Sequence, residues 1–206
     1  FDQENIFKNS SALGLIGATA LAFIMGLADD AYNTKPLLKF FTQTMCGCIL
    51  ILSGNYIQMF DAEWLNYLFT ILWVIGMMNS INMLDNMDSI TSIVSIFIIV
   101  TCIVILMLNE GFTDHNFMLM LGVLGSLIGF IFHNWNPSKM FMGDTGSQFL
   151  GIFLAAISIR YLWNHQTANP LIETYSAQQI CLVLATFIIP VSDTTVVVIN
   201  RLLKKK

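Results

Sequence analysis

The sequence predicts an all-α fold, a polytopic transmembrane helical bundle with about seven spans. Of its 206 residues, 56% are hydrophobic and 11% charged, whereas soluble domains carry roughly a quarter charged residues. Apolar runs long enough to cross a hydrocarbon core of about 30 Å, which takes about 20 helical residues, recur along the whole length. The stretches from Ile93 to Leu108 and from Leu119 to Phe132 are almost unbroken apolar sequence, whereas membrane β-strands alternate in short segments. No stretch is left for a soluble domain, so residues 1–206 read as one integral-membrane domain.

The spans fall at about 11–28, 39–55, 65–84, 90–108, 117–133, 146–163 and 178–200. The first ends in Gly26-Leu27-Ala28-Asp29-Asp30, followed by Lys35, Lys39 and Gln43. An Asp pair there can hold a hydrated cation or position an acidic substrate, and the lysines can meet phosphate; a solvated helix terminus is the plainer alternative. The third span closes with Asn79, Asn82, Asp85 and Asp88. Positions three apart on a helix drift slowly and form one polar stripe. Such a stripe suits nucleotide or sugar recognition, although Asn also hydrogen-bonds between helices in membrane bundles.

Between the fifth and sixth spans run His133, Asn134, Pro137, Lys139 and then Phe141-Met142-Gly143-Asp144-Thr145-Gly146-Ser147. Glycines beside an Asp at a helix start let a ligand approach the backbone, and a helix N-terminus favours anions such as phosphate. Phe141 can stack on a base or simply pack. Asp144-Thr145-Gly146-Ser147 is also the signature of soluble aspartic proteases, but those need a β-rich fold; a membrane aspartyl protease wants Gly where Phe141 stands. The last span holds Pro190-Val191-Ser192-Asp193-Thr194. Pro190 should kink it, and Asp193, about two turns inside, is either functional or the polar partner of that kink.

Seven spans alternate sides. Lys35, Lys39, Lys139, Arg201, Lys204, Lys205 and Lys206 fall on one side, and only Lys8 and Arg160 on the other. The bias assigns the first side to the cytoplasm. That side carries only aspartates, Asp29, Asp30, Asp85, Asp88 and Asp144, while Asp2, Glu4, Asp61, Glu63, Asp114 and Glu173 fall without pattern on the other. Two carboxylates about 6 Å apart at an effective dielectric near 20 repel by roughly 3 kcal/mol, so a cluster needs protons, basic partners or a divalent cation. Oxygen donors without Cys or a His pair point to Mg²⁺, with Mn²⁺ as an option, rather than zinc. His115 and His165 fall on the outer side; His133 alone borders the aspartates. Cys46, Cys48, Cys102 and Cys181 all lie inside apolar spans, where cysteine serves as a small hydrophobe. A net charge of −4 argues against a nucleic-acid partner.

In order, these motifs resemble the polyprenyl-phosphate N-acetylhexosamine-1-phosphate transferases, glycosyltransferase family 4. The resemblance covers nearly the whole chain and rests on the Asp-Asp pair, Asn-x-x-Asn-x-x-Asp-x-x-Asp and Phe-Met-Gly-Asp-Thr-Gly-Ser. It implies transfer of an N-acetylhexosamine 1-phosphate, GlcNAc favoured by the Pro-x-x-Asp-Thr motif, from a UDP-sugar to polyprenyl phosphate with release of UMP. It also implies a bacterial inner-membrane location with the active site on the cytoplasmic face, and a homodimer as an option. Residue by residue, it implies Mg²⁺ at Asp144, lipid phosphate near Asp29 and Asp30, and nucleotide contacts from Asn82, Asp85, Asp88, Asn134 and Phe141, with Asn79 and Lys39 also in the substrate site.

Two departures stand out. Asn86 and Ser89 replace the two glycines common in Asp-Gly-x-Asp-Gly, and Ser89 is the poorer substitute if its position needs positive φ. A His-rich loop, about two preceding spans and one or more following spans are expected outside a chain that reads as a fragment, starting at Phe1. The rival class is a cation-coupled transporter, which also uses intramembrane Asp and broken helices. Its acids should lie near the bilayer midplane in repeated halves, and no repeat is visible here.

Overall fold

A computed structural model describes residues 10–109, 115–165 and 176–204. Asp2, Glu4, Lys8, Asp114, Glu173, Lys205 and Lys206, sorted above by side, lie outside them. Among the described residues the chain is helical without strands: α1 Ser10–Tyr32, α2 Pro36–Leu52, α3 Glu63–Leu84, α4 Ile90–Asn109, α5 His115–Asn134, α6 Gly143–Ser158 with a π-helical turn Ile159–Trp163, α7 Ser176–Thr186 and α8 Ile188–Leu203. Five of these stretches are long and apolar enough to cross a membrane, six if α7 and α8 count as one broken span.

The count of about seven turns on two places. Pro36 starts α2 and Ser53 ends it, so α2 has 17 residues, about 25 Å, at the low end of membrane-crossing length; it still runs the height of α1, from Lys39 beside Asp29 to Asn55 beside Ser11. The last span breaks at Phe187, where α7 and α8 meet at 79°. Pro190 is the physical cause, but it does not sit at the bend. It occupies the first turn of α8, where its missing N–H is harmless, and the chain breaks just before it. Phe187 is fully buried and packs edge-on against Trp73 at 5.3 Å. Trp73 in turn meets Trp163 edge-on at 5.3 Å and donates Nε1–H to Ser158 Oγ at 2.9 Å. Asp193 therefore lies near the start of α8, facing a cavity with Ile188, Ile189, Ser192 and Val196.

Helix α6 is the centre of the bundle. It is buried along almost its whole length and packs against α1 on one side and α3 on the other. Helix α2 spans α1 and α3, α4 pairs with α5, and α8 lies along α3. Glycine makes the central contacts close. A Cβ on Gly151 would lie 2.6 Å from Met78 Cα, and one on Gly26 would lie 2.5 Å from both Asp144 O and Thr145 Cα. Backbone thus meets backbone at the α3–α6 and α1–α6 crossings, the arrangement that small residues permit in membrane bundles. Cys46 and Cys102 are buried, Cys48 is half-buried and Cys181 is exposed, all as free thiols.

Gly151→Ala should destabilise the bundle by roughly 1–3 kcal/mol through overpacking. Gly129→Ala, whose Cβ meets nothing within 4 Å, should be neutral or stabilising by up to about 1 kcal/mol from helix propensity. Thermal unfolding of both variants in detergent checks this, and equal shifts would contradict the close α3–α6 crossing.

Candidate active site

The ends of α1, α2, α3, α5 and α6 meet at one end of the bundle, opposite the π-helical turn that carries Arg160. Asp29 is buried in the last turns of α1. Its Oδ1 accepts the Thr34 N–H at 2.8 Å and the Thr34 hydroxyl, and its Oδ2 pairs with Lys39 Nζ. The same Nζ reaches Asp144 Oδ2 at 3.1 Å, so one lysine bridges two carboxylates from helices far apart in sequence. Asp144 Oδ1 accepts from Asn82 Nδ2, which also donates to Ser147 Oγ at 2.9 Å.

Asp30 plays a different part. Its carboxylate accepts the backbone N–H groups of Asp144 and Thr145, each at 2.9 Å, and the Thr145 hydroxyl. It caps the N-terminus of α6 from another helix. Gly143 makes this possible, with φ +68 and a Cα whose missing side chain would lie 3.0 Å from Asp30 Oδ2.

The helical stripe expected for Asn79, Asn82, Asp85 and Asp88 is only half helical. Helix α3 ends at Leu84, with Asp85 as its C-cap, and the Asn86 side chain donates to Met83 O, competing with helical continuation. Asp88 then lies in a turn, accepting from Asn136 Nδ2 at 3.0 Å and from Ser138 N at 3.3 Å. Ser89 does take positive φ, +64. Asn134 locks that turn, accepting the Ser89 N–H at 2.8 Å and donating to Ser138 Oγ and Met140 O, while Ser89 Oγ donates to Asn134 O at 2.8 Å. Asn79 faces a different layer, exchanging hydrogen bonds with Gln43.

These groups surround a polar cleft of about 420 Å³. Asp30, Asn82, Asp85, Asn86, Asp88, Asn134, Phe141 and Asp144 line it, and Phe141 is 76% exposed, free to stack on a flat ligand. Phe141 and Met142 also line an apolar cavity of about 580 Å³ between α5 and α6, so the two spaces adjoin. Burial, with the charge of Asp144 adding, pushes the Asp85 carboxyl up to about 6. Among the described residues no three His, Cys, Asp or Glu side chains converge as a metal cage. The carboxylates that could hold Mg²⁺, an ion commonly bound by one or two carboxylates with substrate phosphates and water completing the shell, are those of Asp144 and Asp85.

Sequence reasoning marked Asp29, Asp30, Lys39, Asn82, Asp85 and Asp144, and the structure brings all six together. It gave no separate role to Thr145 and Ser147, although they stand in the quoted motif, and did not mark Thr34 or Gln148. Spacing offered a signal for the last alone, since Gln148 stands four residues after Asp144 on the same helix face.

A family model described as glycosyl transferase family 4 matches residues 12–162. A probable undecaprenyl-phosphate N-acetylglucosaminyl 1-phosphate transferase of Bacillus subtilis is 29% identical over 212 residues, covering 98% of this chain and 56% of that protein. Phospho-N-acetylmuramoyl-pentapeptide-transferases of Streptococcus uberis and Limosilactobacillus fermentum are 40% and 30% identical, covering 74% and 73% of this chain and 52% and 51% of theirs. The chain spans about half the length of these curated relatives.

Asp85 supplies a pH test. Folding holds the proton on this carboxyl, so its contribution to stability is fully present below pH 3.8 and is lost as pH rises through about 6. Thermal stability of the wild type should fall across that window, and Asp85→Asn should flatten the fall. An identical profile in the variant would contradict the burial assigned to Asp85.

Proposed function

The chain belongs to glycosyl transferase family 4, and on that premise we propose that it transfers an N-acetylhexosamine 1-phosphate, GlcNAc 1-phosphate in the first instance, from a UDP-sugar to a polyprenyl phosphate. The observation that carries this reading is the bridge from Asp29 through Lys39 to Asp144 at the edge of a polar cleft with an apolar cavity beside it. A water-soluble nucleotide sugar and a membrane lipid need such adjoining spaces. The names of the relatives point the same way.

The lipid phosphate oxygen attacks the β-phosphorus of the UDP-sugar. The new P–O bond forms as the bond from the β-phosphorus to the oxygen bridging the two phosphates breaks, and UMP leaves with that oxygen. A phosphate monoester with second pKa near 6 is already mostly dianionic at pH 7, so Asp29 need not act as a strong base. The harder task is to bring two anions together. Lys39 supplies a fixed positive charge at the junction of α1, α2 and α6, and can exchange a carboxylate for a phosphate oxygen. Asp144, oriented by Asn82, and Asp85 across the cleft would hold Mg²⁺ together with the diphosphate. When bound, the ion would neutralise the diphosphate and stabilise the departing UMP. Phe141 stacks on uracil, and Asp88 shapes the nucleotide end through the 134–140 loop. The lysine and arginine bias of the sequence supports a cleft that opens to the cytoplasm from a bacterial inner membrane.

The test is an assay of the protein in membranes with radiolabelled UDP-GlcNAc, undecaprenyl phosphate and Mg²⁺. The expected products are lipid-linked label and UMP; no lipid-linked product with any UDP-sugar sinks the assignment. Asp144→Asn should lower kcat by about 100-fold or more, as for loss of a group that acts on transition-state charge. Chelation should stop turnover, with Mn²⁺ restoring part of it. Activity that survives thorough chelation would remove the role given to Asp144.

A further inference from the structure

Beneath the charged layer lies a second layer built on the same three helices. In the upper layer α2 contributes Lys39, α6 contributes Asp144 and α3 contributes Asn82. One turn deeper, Gln43 stands four residues after Lys39, Gln148 four after Asp144, and Asn79 three before Asn82. These amides contact one another. Gln43 Nε2 donates to Gln148 Oε1 at 3.2 Å and to Asn79 Oδ1 at 3.4 Å, and Asn79 Nδ2 donates back to Gln43 Oε1 at 2.9 Å. Gln43 and Gln148 are only 2% and 3% exposed. At that depth an unpaired amide carries a desolvation penalty, so the pairing orients Gln43 and Gln148 strongly, while Asn79, exposed, is held by its two bonds with Gln43.

We infer that Gln43, Gln148 and Asn79 are positioning residues: a neutral layer that fixes the rotation of α2, α3 and α6 and so places Lys39 against Asp144 and Asn82. The inference rests on the reaction proposed above for its kinetic consequence, but not for its geometry. In the upper layer Lys39 and Asp144 are charged, so they exchange partners when phosphate or a cation arrives. Amides do not titrate and do not compete for phosphate or Mg²⁺ with carboxylates, so the lower layer keeps its bonds through such exchange. Below it α2 packs by shape against α3, Gly47 on Ile71, while α3 and α6 meet at Gly151 and Met78 and through the distant Trp73–Ser158 hydrogen bond. Without the amides, α2 can turn about its axis and carry Lys39 away from the carboxylates.

The test uses Gln148→Leu, Gln43→Leu and the double variant in the intact protein, with two readouts. The first is labelling of lysines by a small acylating reagent, read by mass spectrometry as the ratio of Lys39 to exposed Lys35. Release of Lys39 from its two carboxylates should raise that ratio by at least about threefold in each variant, and the double variant should add little, because partners in one network couple. The second is kinetics. Misplacement of the reacting groups should lower kcat by about tenfold or more while KM for the UDP-sugar stays within about twofold. Should Gln148→Leu fail to accumulate, Gln148→Met, close in volume, takes its place. An unchanged labelling ratio and kcat, with only a lower melting temperature, would overturn the inference and leave the amides as ordinary packing. A wild type that makes no lipid-linked product sinks the function proposed above, while the labelling ratio still decides whether this layer positions Lys39.

Discussion

The N-terminus of α6 has no local side-chain cap. Met142 precedes it and makes no capping bond, so the first N–H groups of the most buried helix need acceptors from elsewhere. Asp30 provides them from α1, taking both the Asp144 and Thr145 N–H groups with a negative charge where the helix dipole favours one. Two glycines make that reach possible. Gly26 brings α1 into backbone contact with Asp144 and Thr145, and Gly143 leaves space for the Asp30 carboxylate. The rest of the site depends on this joint, because the direction of the Asp144 side chain follows from where the first turn of α6 is held. The adjacent aspartates have thus divided their work: Asp30 builds the helix end, and Asp29 meets Lys39.

Charge balance explains why the arrangement is poised to bind something. Asp29, Asp30, Asp85, Asp88 and Asp144 gather at this end of the bundle, and Lys39 is the cation that pairs with two of them. Asp30 is stabilised by N–H groups and Asp88 by Asn136 and Ser138. Asp85 is buried beside the charge of Asp144, and these outweigh the Thr91 hydroxyl, so its acidity is weakened. Acid–acid repulsion of a few kcal/mol is relieved by a proton or by an additional positive charge. An incoming diphosphate alone would deepen the imbalance. A divalent cation at this end of the bundle would offset both the acids and the diphosphate, which is the electrostatic reason for proposing one.

The bundle and the face that carries the aspartates were legible in the sequence because both rest on strong, one-dimensional signals: apolar runs of membrane length and acids recurring at span ends. The helix termini were less so. The polar stripe from Asn79 to Asp88 was read as one helix, yet α3 stops at Leu84, because the Asn86 side chain and the reversal at Ser89 act through the backbone rather than through hydrophobicity. The break in the last span had a legible cause in Pro190, but its place was set by Trp73, itself packed on Trp163, holding Phe187, contacts among three distant segments. Lys39 was marked for phosphate. Its bridge between Asp29 and Asp144 needed the packing of α1, α2 and α6 to appear.

Hydrogen-bond capacity finally separates the residues that frame the cleft from those with groups left for a ligand. Asn134 spends its side-chain oxygen on Ser89 and its nitrogen on Ser138 and Met140, so its service to a nucleotide is through the shape of the 134–140 loop. Ser89 belongs to the same frame. Its positive φ is unfavourable for a residue with a Cβ, but its hydroxyl bond to Asn134 O ties the turn to that loop, a bond that a glycine there lacks. Asp30 likewise spends both oxygens on N–H groups, and Asp88 spends Oδ2 on Asn136 and Ser138. Among the groups that face the cleft with capacity to spare are the Asp85 carboxyl, the Phe141 ring and the second lone pairs of Asp144. A flat base, a diphosphate and a cation would draw on those three chemically distinct surfaces without dismantling the frame that holds them.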